Sequence, residues 1–145
     1  MKKLIIITSL FFTCTLFSNE YPDISVDELQ TALKEGKVAL IDVNGPKSFS
    51  RGHIPTAINF STDSKKLSKL LPKDKNTLIV SYCGGPGCRA YKKGAEAAAK
   101  LGYKNIRHLS AGISGWRKSG AKVVKNNYHT KRWGIFYGSF RIMVF

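Results

Sequence analysis

The sequence predicts an α/β domain built on a central, mostly parallel β-sheet. Two segments, residues 38–43 and 77–82, are dominated by apolar residues without regular polar alternation, which is typical of strands buried on both faces. Segments with helical spacing alternate with the strands, and this alternation indicates helices that flank a parallel sheet. The 145 residues are enough for one such domain with a hydrophobic core of its own.

The first half of the domain begins with a helix that has clear start and stop signals. Ser25 and Glu28 stand at the spacing of a capping box, apolar residues follow at helical spacing, and Gly36 ends the helix. The segments predicted after it are a strand at residues 38–43, a turn-rich stretch at 44–56, a short strand at 57–60 and a basic amphipathic helix at 62–71.

The second half centres on the strand at residues 77–82, which leads directly into a glycine-rich loop at residues 83–89. The segments predicted after the loop are a helix at 90–101, a strand at 105–109 and a short helix at 113–118, which complete a domain that we place at residues 19–125.

The two ends of the chain differ in composition from this domain. Lys2 and Lys3 precede an apolar run at residues 4–17, and Ser18 follows, which is the pattern of a secretory signal peptide over residues 1–18. We therefore expect a periplasmic or secreted protein, and the alternative is an uncleaved N-terminal anchor. Residues 126–145 form a basic tail with six aromatic residues and no acidic residue, which is a candidate for contact with a membrane surface.

The chain is strongly basic, because 24 lysine and arginine residues against 9 acidic residues give a formal net charge of +15. Such an excess favours nucleic acid, an anionic membrane surface or small anionic molecules as partners. The lysines are dispersed and form no basic stripe, so we exclude nucleic acid and favour a small anionic substrate. The histidines are scattered and the cysteines lack zinc spacing, so we expect no metal and no cofactor.

The candidate active site is the loop that begins at Cys83. A thiol at the carboxyl end of a parallel strand lies where open α/β sheets bind their ligands, and a following helix N-terminus favours the reactive thiolate. Three glycines allow backbone N–H groups to converge on one anion, and an arginine adds a fixed positive charge. The loop residues that we expect to bind substrate are Gly84, Gly85, Pro86, Gly87, Cys88 and Arg89.

Cys88 leaves a second function open. It follows Cys83 by five positions within one curled loop, so the two sulfur atoms can meet. A reactive thiol beside a second cysteine is typical of a redox-active pair, and the alternative function is that of a thiol redox or persulfide-carrier protein. A cysteine that only packs at the entrance of the helix is the third interpretation.

Residues from about 24 to 124 resemble the rhodanese domain family. Three ordered signatures carry this resemblance. The first comprises Asp42-Val43, Phe49, Gly52-His53-Ile54-Pro55, Ala57 and Asn59, the second is Tyr82-Cys83 with the glycine-rich loop and Arg89, and the third is Gly112, Trp116 and Gly120.

The resemblance implies a three-layer rhodanese-like fold and a sulfurtransferase in which Cys83 carries sulfur as a persulfide within a ring of backbone N–H donors. The expected substrates are thiosulfate or a related anionic sulfur donor and a thiol or cyanide-like acceptor. The reaction needs no cofactor, and we expect a monomer. Two supporting residues are expected: Asp42, which either holds loop amides or has a structural role, and Trp116, which belongs to the core or to a pocket wall.

Four replacements depart from the family pattern outside the loop. Asn44 and Ser48 replace an arginine and a glutamate, and the loss of both leaves no unpaired charge. Thr56 and Ala111 replace glycines, and we expect both changes to be mild.

The loop is also longer than is common in sulfurtransferases. Five residues separate Cys83 from Arg89, a spacing that resembles the rhodanese-fold phosphatases and arsenate reductases. A phosphatase needs a general acid to protonate its leaving group, residues 84–88 contain none, and Tyr82 replaces the usual histidine. Sulfite leaves thiosulfate without protonation, so the loop favours sulfur transfer over phosphatase or arsenate reductase chemistry.

Overall fold

The computed structural model describes residues 21–125, and these residues form a four-stranded, wholly parallel sheet with helices around it. The elements in chain order are α1 (Val26–Lys34), β1 (Val38–Asp42), α2 (Pro46–Arg51), β2 (Ile58–Asn59), α3 (Phe60–Asp63), a 3-10 turn (Ser64–Lys66), α4 (Leu67–Leu70), β3 (Leu78–Tyr82), α5 (Tyr91–Lys100), β4 (Ile106–Leu109) and α6 (Gly112–Lys118).

The sheet has the strand order β2-β1-β3-β4, and its register aligns the carboxyl ends of the three longer strands. Asp42 of β1 lies opposite Tyr82 of β3, and Tyr82 lies opposite Leu109 of β4. Cys83 directly follows Tyr82, so the predicted nucleophile stands at the carboxyl edge of the sheet, beside its central pair of strands.

The core lies on both faces of the sheet, which explains why the strand sequences lack polar alternation. Alternate strand residues point to opposite faces, and each face is buried against helices, giving three layers. One cluster contains Leu29, Leu40, Ile54, Val80, Tyr82, Ile113 and Trp116; the other contains Ile41, Leu67, Leu71, Ile79, Ala95, Ala98 and Ile106. The predicted α/β architecture with a parallel sheet is therefore confirmed.

Helix α1 has the start and stop signals that the sequence predicts. The Ser25 hydroxyl accepts a hydrogen bond from the Glu28 backbone N–H at 3.2 Å, and the Glu28 carboxylate accepts one from the Ser25 backbone N–H at 2.9 Å. Gly36 adopts a φ of 67°, which an L side chain rarely tolerates, and the chain turns there into β1.

Two predictions of secondary structure are wrong. The stretch at 44–56 is not only turns, because α2 begins at Pro46, a residue pre-organised for the first helical position, and buries Phe49. The single helix predicted at 62–71 is divided into α3, the 3-10 turn and α4. Residues 62–66 have no apolar side chain that would pack against the sheet, and the Asn59 side chain starts α3 early by accepting the Ser61 N–H at 3.0 Å.

Both ends of the described chain are tied to the sheet or to its loops. At the amino end, the Ile24 N–H donates to the His108 carbonyl and the His108 N–H donates to the Pro22 carbonyl, each at 2.9 Å. At the carboxyl end, Val124 and His53 exchange two backbone hydrogen bonds of 2.9 and 3.0 Å. The predicted signal peptide at 1–18 and tail at 126–145 lie outside residues 21–125, and within those residues no helix is long and apolar enough to cross a membrane.

Candidate active site

Cys83 is held at the end of β3 by backbone contacts with the start of α6. The Cys83 carbonyl accepts a hydrogen bond from the Ile113 N–H at 2.9 Å, and the Gly84 carbonyl accepts one from the Ser114 N–H at 3.0 Å. The Cys83 side chain and backbone are 3% exposed, whereas Gly84 is exposed. Cys83, the predicted nucleophile, is therefore buried with its backbone fixed by α6, and the solvent-exposed part of the loop begins at the next residue.

Gly112 makes this close contact possible. Its φ is 56°, and a Cβ at this position would lie 2.5 Å from the Cys83 carbonyl oxygen and 2.6 Å from the Gly85 nitrogen. Such distances are shorter than van der Waals contact, so any side chain at residue 112 would displace the loop. The sequence identified Gly112 only through the family signature, and the structure supplies its physical role.

The glycines of the loop leave their backbone N–H groups available. Within the described residues, the amides of Gly84, Gly85 and Gly87 donate no hydrogen bond. Gly87 turns the chain with a φ of 80°, and the Cys88 N–H closes the turn by donating to the Gly85 carbonyl at 3.1 Å. Unused N–H groups on a curled loop are what an anion site requires, and Pro86 within this loop is exposed.

Cys83 and Cys88 are joined by a disulfide in the structure. Their Cα atoms are 6.4 Å apart, and the Cys83 sulfur also lies 3.1 Å from the Cys88 carbonyl oxygen. Cys88 is half-buried. The loop therefore brings the two sulfurs into contact, a possibility that the sequence spacing had left open.

Arg89 stands at the carboxyl end of the loop and is exposed to solvent. Helix α5 begins two residues later, at Tyr91, and the Arg89 carbonyl accepts the Lys92 N–H at 3.2 Å. Among the described residues, no carboxylate pairs with the Arg89 guanidinium. Arg89, Lys92 and Cys88 line a cleft of about 160 Å³ that also includes His108 and Ser110. Two basic side chains therefore line the cleft beside the loop, and the Asp23 carboxylate, which accepts two hydrogen bonds from Ser110, lies on the side of the cleft that Ser110 lines.

Asp42 does not hold the amides of the loop. Its Oδ1 accepts hydrogen bonds from the Asn44 N–H at 2.7 Å and from the Asn44 side-chain amide at 2.6 Å. Burial raises the pKa of the Asp42 carboxyl, and these hydrogen bonds oppose that shift. Of the two roles that the sequence left open for Asp42, the contacts favour the structural one, which is to shape the turn after β1.

Tyr82 is a buried residue whose side-chain role the sequence did not reveal. Its hydroxyl accepts a hydrogen bond from the Ile54 N–H at 3.1 Å and so joins β3 to the segment before β2. Burial, together with the negative charge of Asp42, raises the pKa of the Tyr82 hydroxyl, which therefore stays protonated at neutral pH. No local sequence signal indicated this role, because it depends on the register that places Tyr82 opposite Asp42.

Trp116 and His53 have structural contacts away from the cysteines. Trp116 is buried in the core, its indole N–H donates to the Lys122 carbonyl at 2.9 Å, and it borders a separate apolar cavity of about 370 Å³. The His53 ring stacks on the Phe49 ring with 3.6 Å between the ring centroids, and the His53 Nδ1 lies 2.9 Å from the Phe49 carbonyl oxygen. In the part of the chain that the structure describes, no group of three or more histidine, cysteine or acidic side chains could hold a metal.

Comparison with known proteins agrees with this fold. The sequence model of the rhodanese-like domain family matches residues 25–119. A protein from Bacillus halodurans is 28% identical with a TM-score of 0.57, and the match covers 73% of this chain and 78% of that one. A rhodanese-related protein from Thermoplasma volcanium is 25% identical with a TM-score of 0.57, covering 72% of this chain and 98% of the other.

The fold is also similar to that of the human single-domain sulfurtransferase, at 22% identity and a TM-score of 0.54, with 68% of this chain and 97% of the human chain covered. With the family model spanning α1 to α6 and the structural similarity covering most of the chain, this protein belongs to the rhodanese-like domain family.

Proposed function

We propose that this protein is a sulfurtransferase that moves sulfane sulfur from thiosulfate, or a related anionic donor, to a thiophilic acceptor through a persulfide on Cys83. The observation that carries the proposal is the position of Cys83 at the end of β3, beneath a loop whose glycine N–H groups are unused. Unused N–H donors in the loop that follows a thiolate can stabilise negative charge on an attached sulfur, which supports the proposal.

The reaction begins from the dithiol form, because Cys83 cannot attack a donor while it is bonded to Cys88. The Cys83 thiolate attacks the sulfane sulfur of thiosulfate, the sulfur–sulfur bond of thiosulfate breaks, and sulfite leaves with the bonding electron pair. A persulfide remains on Cys83. Cyanide or a thiolate then attacks the outer sulfur, and the Cys83 thiolate leaves as the second product forms.

The loop supplies binding and electrostatic stabilisation for both steps. The N–H groups of Gly84, Gly85 and Gly87 follow Cys83 in the loop and donate no hydrogen bond within the described residues, and Arg89 and Lys92 line the cleft beside Cys88. These groups attract the anionic donor and stabilise the persulfide anion. Since neither sulfite nor the Cys83 thiolate needs a proton to leave, the site requires no general acid.

The absence of an acid within the loop weighs against phosphatase or arsenate reductase chemistry. No aspartate or glutamate occurs between Cys83 and Lys93, and the carboxylate of Asp42 is buried with Asn44 as its hydrogen-bond donor. The loop therefore offers no donor for an alkoxide leaving group, and the nearby Asp23 carboxylate already accepts two hydrogen bonds from Ser110. The loop length of the phosphatases is therefore present without the group that their reaction needs.

The test is a thiosulfate:cyanide assay on reduced protein freed of reductant. The wild type should form thiocyanate, and mass spectrometry without cyanide should find one added sulfur atom on the peptide that contains Cys83. Cys83→Ser should lose the activity by at least about a thousandfold, because a hydroxyl is a far weaker nucleophile than a thiolate. Cys88→Ser is the matched control, since it removes one thiol from the same loop and should keep most of the cyanide-dependent activity. Equal loss in both variants, or full activity of the disulfide form, would exclude Cys83 as the single nucleophile.

We further propose that the protein acts outside the cytoplasm, because residues 1–18 have the pattern of a signal peptide, and that it acts as a monomer. The intact mass of the protein recovered from cells should correspond to a chain that begins at Asn19. A mature chain that retains Met1 would support the anchored alternative, and a dimer in sedimentation would contradict the monomer.

A further inference from the structure

We propose that Cys88 is a resolving cysteine, which converts the persulfide on Cys83 into the Cys83–Cys88 disulfide and releases hydrosulfide. This inference rests on the proposed function, and it adds a second activity to the same site. In this second activity no external acceptor takes the sulfur, and the two thiols of the protein reduce the sulfane sulfur of the donor.

The geometry of the loop carries the inference. The two sulfurs are bonded in the folded domain, with the Cys83 carbonyl still fixed by the Ile113 N–H and the turn closed by the Cys88 N–H on the Gly85 carbonyl. The disulfide is thus compatible with the same backbone that presents the nucleophile. A thiol held this close to Cys83 reacts within one molecule, with an effective concentration that an external thiol cannot match.

The surroundings of Cys88 also suit a nucleophile. Cys88 is half-buried and borders the cleft that Arg89 and Lys92 line. Neighbouring positive charges favour the thiolate form of a cysteine, and only the thiolate attacks a sulfur–sulfur bond. A cysteine that served only as a packing residue would have no need of a basic, solvent-connected cleft.

The step balances in atoms and electrons. The Cys88 thiolate attacks the Cys83 Sγ of the persulfide, the bond between Cys83 Sγ and the outer sulfur breaks, and the outer sulfur leaves with the electron pair as hydrosulfide after taking a proton. The outer sulfur is reduced by two electrons, and the two cysteines are oxidised to the disulfide. A dithiol reductant then restores both thiols, so that each cycle consumes one thiosulfate and one dithiol and yields sulfite, hydrosulfide and the oxidised dithiol.

A single-turnover experiment separates this step from the proposed function. Reduced wild type and Cys88→Ser, each freed of reductant and kept anaerobic, are mixed with one equivalent of thiosulfate, and sulfite, hydrosulfide and free thiols are measured. The wild type should release about one sulfite per chain. Cys88→Ser should also release sulfite, because serine keeps the backbone N–H that donates to the Gly85 carbonyl, and the two proteins are compared by the amounts of product and not by the rate of this first step. Only the wild type should then release about one hydrosulfide and lose both thiols, at a rate per chain that does not change with protein concentration. Cys88→Ser should keep its persulfide, which later cyanide removes as thiocyanate.

The outcomes distinguish the two proposals. A wild type that releases sulfite but retains a stable persulfide and a free Cys88 thiol overturns the resolving role and leaves the sulfurtransferase proposal intact. Hydrosulfide release that scales with protein concentration overturns it as well, because the resolving thiol would then come from another chain. Failure of both proteins to release sulfite contradicts the proposed use of thiosulfate instead.

The reverse reaction tests the resolving step without any thiosulfate. Hydrosulfide added to the disulfide form of the wild type should open the bond and leave a persulfide on Cys83 and a free thiol on Cys88. Peptide mass spectrometry locates the added sulfur. Addition on Cys88, or no opening by hydrosulfide while a dithiol opens the bond readily, would contradict the inference.

Discussion

Thr56 is a residue whose backbone conformation is strained. It is the only non-glycine residue among residues 21–125 with a positive φ, 68°, and it stands where the resemblance places a glycine. A β-branched residue is strained in this left-handed region. The expectation that the replacement of glycine by Thr56 is mild is therefore wrong. Ala111 has a φ of −60° and is unstrained, which agrees with expectation at that second position.

Thr56→Gly should therefore stabilise the domain. The relief of the left-handed strain, about 1–2 kcal/mol, exceeds the added entropy of a glycine in the unfolded chain, about 0.5–1 kcal/mol. Thr56 is exposed and its side chain makes no hydrogen bond within the described residues, so little else is lost. Urea unfolding should show a gain of about 0.5–1 kcal/mol. Thr56→Ala is the control, since it keeps a Cβ and should gain less; an equal gain would show that side-chain size and not φ is responsible.

Arg89 is the second residue whose effect can be isolated. Its guanidinium is exposed beside the loop and has no carboxylate partner among the described residues. Arg89→Ala should raise the KM for thiosulfate about three- to tenfold, since a charge-assisted contact at an exposed position contributes about 1 kcal/mol. Steady-state kinetics measure this, and the free energy of unfolding should hardly change. Lys93→Ala removes one charge from an exposed position on α5 and should leave KM nearly unaltered. The same KM change in both variants would mean that only net charge matters.

At the scale of elements, the contact between α6 and the loop after β3 determines the position of Cys83, the proposed nucleophile. Gly112→Ala should lower kcat/KM at least about tenfold and destabilise the fold by about 2–3 kcal/mol, because the new Cβ overlaps the Cys83 carbonyl and the Gly85 nitrogen. The thiosulfate:cyanide assay and urea unfolding measure the two effects.

Gly120→Ala provides the matched comparison for this prediction. Gly120 has a φ of 76°, but a Cβ there meets no atom within 4 Å. The Gly120→Ala substitution should lower the free energy of unfolding by about 1 kcal/mol through backbone strain alone and leave kcat/KM unchanged. If Gly112→Ala lost stability without losing activity, the α6 contact would be structural only.

The elements also show which parts of the structure could be predicted. Helix α1 and strands β1 and β3 follow from local signals, a capping box and apolar runs that any fold must bury. The loop from Cys83 to Arg89 is contiguous in sequence, so its residues could be identified together. The role of Tyr82 could not be predicted from the sequence. It depends on the register between β1 and β3 and on the hydrogen bond from the Ile54 N–H, and both involve residues that are distant in sequence.

At the scale of the whole molecule, the formal net charge of +15 should affect the capture of an anionic donor. Salt screens such attraction over about 10 Å at 0.1 M ionic strength, so kcat/KM for thiosulfate should fall several-fold between about 0.01 and 0.3 M sodium chloride. Steady-state kinetics over this range check the prediction. Arg89→Ala should retain most of the salt dependence, because the attraction comes from many dispersed lysines. A flat profile in the wild type would show that the surface charge serves another partner.

The two backbone hydrogen bonds that join residues 22–24 to His108 have a consequence for self-association. They place a segment along the outer side of β4, where Pro22 has no N–H to offer a further strand. At the opposite side of the sheet, β2 has only two residues. Neither edge is a good template for pairing with another copy of the chain. A chain shortened to begin after Ile24 would expose the backbone of β4, and we expect such a chain to aggregate through that edge.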